Sequence, residues 1–251
     1  MAPNLLILAG TTEARVLARA VAARGISGTV SLAGRVAQPL DQPLPLRIGG
    51  FGGVAGLVRY LRDAGITHLI DATHPFAAKM SRHAVAAAAQ TGLPMVALSR
   101  PAWRAEPGDH WQCVPNIAGA VAALDRPRQR VLLAVGRMHL ADFAGNPQHH
   151  YVLRLVDRTA KTLPFPDATI ITARGPFDLA GDLDLLRAHA IDLVVSKNSG
   201  GDGAYAKIAA ARLLGLPVIM IDRPEMPERI EFHDLDAVLT WIAHPGTARG
   251  V

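Results

Sequence analysis

The sequence predicts an α/β protein of two doubly wound halves, each a parallel sheet covered by helices. Three observations carry this expectation. Apolar runs of strand length alternate with helical patterns of about 10 to 15 residues, as strand–helix–strand units require. The loops that follow the apolar runs are rich in glycine and in helix-capping residues. Finally, "GLPMVALSRP" from Gly92 returns as "GLPVIMIDRP" from Gly215, 123 residues further on, each copy closing a helix with glycine and entering a strand after proline. Two related halves give such an echo, and so does convergent use of the same helix-stop residues.

The expected elements follow in order. The first half reads as a strand from Leu5 to Ala9, a helix from Thr12 to Arg24, and strands from Thr29 to Ala33 and near Leu46 to Ile48. A helix from Val54 to Ala64, a strand from His68 to Asp71, a helix from Phe76 to Thr91 and a strand from Met95 to Leu98 complete it. In the first helix Val16, Leu17, Ala20 and Val21 share one face, while Arg15 and Arg19 lie four apart on another. The second half has strands near Val131 to Val135, Tyr151 to Val156, Thr169 to Thr172, Asp192 to Ser196 and Val218 to Ile221. The segment "RPAWRAEPGDH", with two prolines and a glycine, reads as a linker, so the expected domains are residues 1–100 and 101–251.

Composition narrows the function. With half of its 251 residues hydrophobic, the chain can bury real cores without covalent staples. The single cysteine, Cys113, excludes an internal disulfide and is expected in the core. There is no basic segment before the first apolar run, and no apolar stretch approaches the roughly 18 residues of a membrane span, so a soluble cytoplasmic protein is expected. A net charge of +5 invites a nucleic-acid reading, but the cations are scattered and only three tyrosines and three tryptophans could stack on bases. An anionic small molecule is the better partner. The ten histidines contain no HExxH pair, and His149 and His150 would point to opposite faces of a strand, so no metal site is expected.

Parallel sheets bind ligands beyond the carboxyl ends of their strands. After the first strand, "AGTTEAR" offers Gly10 for a tight turn, Thr11 or Thr12 as a helix cap, and helix-start N–H groups that can hold a phosphate. It is not GxGxxG, so a plain capped helix is the alternative. "SLAGRV" places Ser31, Gly34 and Arg35 about 20 residues beyond that turn, where an acid would select NAD and an arginine accommodates the 2′-phosphate of NADP. A solvated surface arginine is the other reading. "GGFGG", Gly49 to Gly53, lets a flat group lie against backbone or forms a flexible loop. In "DATHPFA", Pro75 suits the first turn of the next helix, with Thr73 or His74 near its cap. Whether His74 is an acid or a helix-start residue is open on sequence alone. In the second half the loops "VGRM" with Arg137, "TARGPF" with Arg174 and "SKNSGGDG" with Lys197 carry cations beside glycine, the mark of a polyanionic ligand.

Taken in order, "AGTTEAR", "GGFGG" with "GLVRYL", "DATHPFA", "VGR", "ARGPF", "SKNSGG" with "AKIAAAR", and "GLPVIMIDRP" resemble the precorrin-6A reductases of the cobalamin pathway. The resemblance spans nearly the whole chain, with Ala9 standing where that family often has glycine. It implies two linked Rossmann-like domains, an NADP-binding one over residues 1–100 and a substrate-binding one over 101–251. It also implies NADPH-dependent reduction of one macrocycle double bond of precorrin-6A to give precorrin-6B, with the ring bound between the halves. By position it assigns Gly10, Thr11, Thr12, Glu13, Ser31, Gly34, Arg35, Gly52, Gly53 and Thr73 to the cofactor, NADPH. It assigns Pro75, Arg137, Arg174, Lys197, Asn198, Ser199, Gly200 and Gly201 to the substrate, a polycarboxylate tetrapyrrole. His74 is the catalytic candidate, chosen by reach for the proton that must accompany a hydride. A cobalt-precorrin-6A reductase using NADH, a methyltransferase and a non-catalytic dinucleotide sensor are the competing readings.

Overall fold

The computed structural model describes residues 2–34, 41–156, 163–173 and 175–244, so Arg35 and Arg174 lie outside the described residues. The chain forms two compact units, one from residues up to Arg100 together with those from Glu225 onward, the other Pro101–Pro224.

The first unit begins with β1 (Asn4–Leu8), whose Leu5 to Leu8 are all buried. Side chains alternate across a strand, so Leu5 and Ile7 join the layer of α1 (Thr12–Ala23), while Leu6 and Leu8 face α2 (Val54–Asp63) and α3 (Ala78–Thr91). A strand apolar on both faces belongs at the centre of a covered sheet. Indeed β1 pairs in parallel with β2 (Ser27–Leu32) on one side and β4 (His68–Asp71) on the other, with β3 (Leu46–Ile48) beyond β2 and β5 (Met95–Leu98) beyond β4. Leu8 stands opposite both Ser31 and Asp71, which brings those strand ends level with the "AGTT" turn.

The second unit contains β6 (His110–Val114), α4 (Ile117–Ala123), β7 (Arg130–Ala134), β8 (His150–Leu155), β9 (Ala168–Thr172), α5 (Leu179–Ala188), β10 (Leu193–Lys197), α6 (Ala206–Leu213) and β11 (Pro217–Ile221). Its six strands run in the order β6-β11-β10-β7-β8-β9. Leu132, Val152, Val194, Val218 and Met220 form one core layer with Leu186 of α5 and Ile208 of α6. The chain then returns to the first unit as β12 (Glu231–Phe232) and α7 (Leu235–Ala243), giving the first sheet the order β12-β5-β4-β1-β2-β3. Both sheets therefore share one strand order, and the sixth strand of each follows, in sequence, the fifth strand of the other. The "GLP" echoes occupy equivalent places before β5 and β11, with Gly92 and Gly215 at φ +68° and +63°.

Four expectations are corrected. The second domain does not run to residue 251: Ala97 and Ser99 N–H donate to Ile230 and Phe232 carbonyls, and Val238, Trp241 and Ile242 of α7 complete the α1 core. The segment read as a linker is fixed to the second unit, because Arg212 of α6 clamps the Asp109 carboxylate at 2.9 and 3.2 Å and reaches Glu106 at 2.7 Å. Cys113 is exposed, because β6 is the outer edge of its sheet. The helix after "DATHPFA" starts at Ala78 and not Phe76, because Pro75 and Phe76 form a turn of their own, closed by Ala77 N–H on the His74 carbonyl at 2.7 Å.

Candidate active site

Where strand order reverses, two loops diverge and leave a crevice that the fold cannot fill. In the first unit that point lies between β1 and β4. Thr11 caps α1 there: its hydroxyl oxygen accepts from Ala14 N–H at 3.1 Å and donates to the Ala72 carbonyl at 3.0 Å, tying the two loops together. Gly10 leads into the cap, and a Cβ built on it would meet nothing within 4 Å, so the approach to the helix start is open to a ligand. Helix-start N–H groups lack partners within their own helix and, with the helix dipole, favour an anion. Thr12 and Glu13 follow in the first turn, where Glu13 pairs with Arg100 at 3.1 Å.

The neighbouring β4 loop is built on Asp71. Its buried carboxylate accepts from the Thr73 N–H at 3.1 Å and the Thr73 hydroxyl at 2.7 Å, while Arg229 donates to the other oxygen at 2.8 Å. His74 comes next, and its Nδ1 accepts from Phe76 N–H at 3.2 Å. That bond assigns the proton of the neutral ring to Nε2. On the other flank, Gly34 follows β2, and Ser31 lies 3.5 Å from the guanidinium of Arg47. Arg47 also donates to the carbonyls of Gly49 at 2.6 Å and Gly50 at 2.8 Å and stacks 3.8 Å above the Phe51 ring. The "GGFGG" stretch is thus a clamped loop, with Gly52 and Gly53 at φ +79° and +90° leading into α2.

In the second unit the reversal lies between β7 and β10, where "GRM" and "KNSGG" emerge side by side. Arg137 opens a single 3-10 turn after β7, is exposed, and follows Gly136, over which a Cβ would meet nothing within 4 Å. Lys197 ends β10 opposite Ile221 and is half-buried. The residues after it are held from below. Asn198 accepts from Trp103 N–H at 2.8 Å and donates to the Trp103 carbonyl at 3.0 Å, and the Trp103 indole donates to Gly201 at 2.8 Å. Arg223 donates to the carbonyls of Asn198 and Ser199 at 3.0 and 3.1 Å. At Gly200, φ +69°, a Cβ would lie 2.1 Å from the Pro101 carbonyl oxygen. Asn198 and Gly200 thus shape the loop, leaving Lys197 and Ser199 as its ligand-facing candidates.

The family model described as Precorrin-6x reductase CbiJ/CobK matches residues 4–243. The chain belongs to this precorrin-6x reductase family. Among its members, a precorrin-6A reductase of Rhodobacter capsulatus is 56% identical over 249 residues, covering 99% of each chain. One from a Sinorhizobium species is 49% identical, covering 96% of this chain and 93% of that one. A solved structure titled CobK precorrin-6A reductase superposes with a TM-score of 0.94 at 56% identity, covering 99% of this chain and 100% of that chain.

For this member of the precorrin-6x reductase family, sequence reasoning missed the side chains that shape the loops from outside them: Arg47, Arg100, Trp103, Arg223 and Arg229. Arg47 carried a readable signal, a lone cation on a three-residue strand directly before the glycine loop. The others act across 24 to 158 residues, a distance that no local pattern encodes.

Proposed function

We propose that this protein is a precorrin-6A reductase that takes its hydride from NADPH and yields precorrin-6B. The observation that carries this reading is the pair of loop clusters at the two strand-order reversals. One is an anion-accepting helix start suited to a dinucleotide, the other a glycine loop flanked by Arg137 and Lys197, suited to carboxylates, in a chain 56% identical along nearly its whole length to a precorrin-6A reductase. A nicotinamide dinucleotide fits the donor set of the first cluster. Gly10 leaves the helix start open, Thr12 and Glu13 present the N–H groups, and Thr11 fixes their direction. Ser31 and Gly34, at the end of β2, would read the ribose, with Arg35 next in sequence, and Gly52 and Gly53 follow the stretch that Arg47 holds through Gly49, Gly50 and Phe51.

When bound, the dinucleotide supplies the hydride. The rest falls to the chain. Arg137, Lys197 and Ser199 would receive acid groups of the ring, with Arg174 a further candidate from the sequence alone, and the loop that Trp103 and Arg223 hold would fix which ring carbon is presented. One proton must join the product for each hydride. His74 holds one on Nε2, aimed away from the Phe76 N–H that occupies Nδ1, with Thr73 and Pro75 fixing the turn that carries it. Reduction with NADPH deuterated at the transferable position tests the reading. One deuterium should appear on a ring carbon of the product while reduced cofactor is consumed in equal amount. A changed macrocycle without the label rules out hydride transfer.

A further inference from the structure

Beneath the second-unit loop lies a lysine that the mechanism above does not use. Lys207, in the first turn of α6, is 4% exposed. Its Nζ donates to the Ala204 carbonyl at 2.5 Å and sits 4.9 Å above the Trp103 ring. The charged groups that face it are Arg154 of β8 and Asp182 of α5, which form a buried ion pair with each other. Arg154 in turn stacks 3.5 Å above Phe177, in the loop that carries "ARGPF". An aliphatic side chain would fill this space at lower desolvation cost, since a buried ammonium must recover its lost hydration from the few groups around it. Its one hydrogen-bond acceptor among the described residues, Ala204, closes the 3-10 turn Asp202–Ala204 directly after Gly201.

We propose that Lys207 is a positioning residue for the anionic substrate: its ammonium holds the Ala204 carbonyl, and with it the turn after Gly201, in the form that receives a ring carboxylate. The proposal rests on the assignment of the Lys197–Gly201 loop to the tetrapyrrole. It has a consequence that a passive support lacks. Burial, reinforced by Arg154 and opposed by Asp182, brings the Lys207 ammonium down to a pKa of about 7. The protonated amine is the stronger donor to the carbonyl, and a carboxylate arriving at the loop favours it further. Substrate binding above pH 7 therefore takes up a proton, and substrate affinity is full below that pKa and falls as pH rises through it.

The test is KM for the tetrapyrrole and kcat between pH 6 and 9 in wild type, Lys207→Arg and Lys207→Met. The wild-type substrate KM should rise roughly fivefold with pH, the low end of ordinary coupling between sites, with the KM for NADPH little changed and kcat following one pH course in all three enzymes. Lys207→Arg should hold the acid-side KM across the range, and Lys207→Met the alkaline-side value. A purely structural lysine would instead lower stability and affect both ligands alike, so a Lys207→Met enzyme that keeps the wild-type KM profile overturns the proposal. Should Lys207→Met fail to fold, calorimetric titration with the tetrapyrrole at pH 7.5, in two buffers of different ionisation enthalpy, decides between wild type and Lys207→Arg. Proton uptake by the wild type alone supports the proposal, and equal uptake overturns it. A Lys207-dependent profile in the KM for NADPH overturns the loop assignment, whereas a flat wild-type profile overturns the part given to Lys207 alone.

Discussion

Arg229 and Asp71, 158 residues apart in sequence, pair at 2.8 Å inside the first unit. Asp71 is the last residue of β4 and organises Thr73, so a side chain from the returning C-terminal segment sets the loop that carries His74. Both partners are largely buried, with side-chain exposures of 12% and 2%. Removing one partner of such a pair leaves the other charge in a poorly solvated place, a loss of about 3 kcal/mol or more. Arg229→Ala should lower the melting temperature by roughly 6 °C or more, at about 2 to 4 °C per kcal/mol for a chain of this size. It should also lower kcat more than it raises the KM for substrate. A melting shift under about 2 °C would show that the pair is not structural.

A second prediction concerns the loop on the opposite flank. Gly56 is the third residue of α2, and a Cβ there would stand 1.7 Å from the Phe51 carbonyl oxygen. The clamped "GGFGG" loop packs on the helix only because that Cβ is missing. Gly56→Ala should displace the loop and raise the KM for the dinucleotide about tenfold or more, with a smaller change in the KM for substrate. Gly145→Ala, at an exposed position outside the site loops where a Cβ meets nothing within 4 Å, is the control and should be near neutral. Equal behaviour of the two variants would refute the packing argument.

The contrast between these positions explains what was legible beforehand. The strands β3, β4 and β5 were readable to the residue, because turn or charge signals stand beside short stretches of apolar residues: Pro45 and Gly49 flank β3, Asp71 ends β4 and Pro94 precedes β5. The two-residue β12 was not, since "EF" has no periodicity, and its place in the first sheet comes from backbone pairing to β5. Nor was β6, whose exposed edge position gives "HWQCV" no apolar signature. At the site, the glycines were visible but their causes were not. Gly200 reads as room for a ligand, yet the Pro101 carbonyl fills the space that a side chain would need. Such close approaches are tertiary facts. That Arg137 and Lys197 follow the carboxyl ends of β7 and β10 was legible, because the apolar runs before them already mark those strands.

For the loop proposed to bind substrate, Lys197→Ala should raise the KM for the tetrapyrrole by about ten- to hundredfold, the worth of a charge-assisted contact. The KM for NADPH should hold. The effect should shrink as salt is raised from 50 mM to 500 mM, because the half-buried Lys197 is still screened by mobile ions. A loss confined to NADPH, measured by calorimetry, would move the loop to the dinucleotide.

Cofactor choice gives the last prediction. Two arginines compete for the role of 2′-phosphate partner: Arg35, beyond Gly34, and Arg47 on β3. The guanidinium of Arg47 is already committed to the carbonyls of Gly49 and Gly50 and to the face of Phe51, so it serves the loop whichever dinucleotide binds. Arg35 stands about 20 residues beyond the first turn, where dinucleotide folds distinguish a ribose hydroxyl from a phosphate. A charge-assisted contact to phosphate is worth about 1.5 to 3 kcal/mol, or roughly ten- to hundredfold in affinity. Arg35→Ala should therefore raise the KM for NADPH by that factor and leave the KM for NADH almost unchanged, erasing the preference. Arg47→Ala should weaken both cofactors together. If Arg35→Ala also weakens both equally, the residue supports the loop and does not read the phosphate; if Arg47→Ala is the selective one, the discriminator lies on β3.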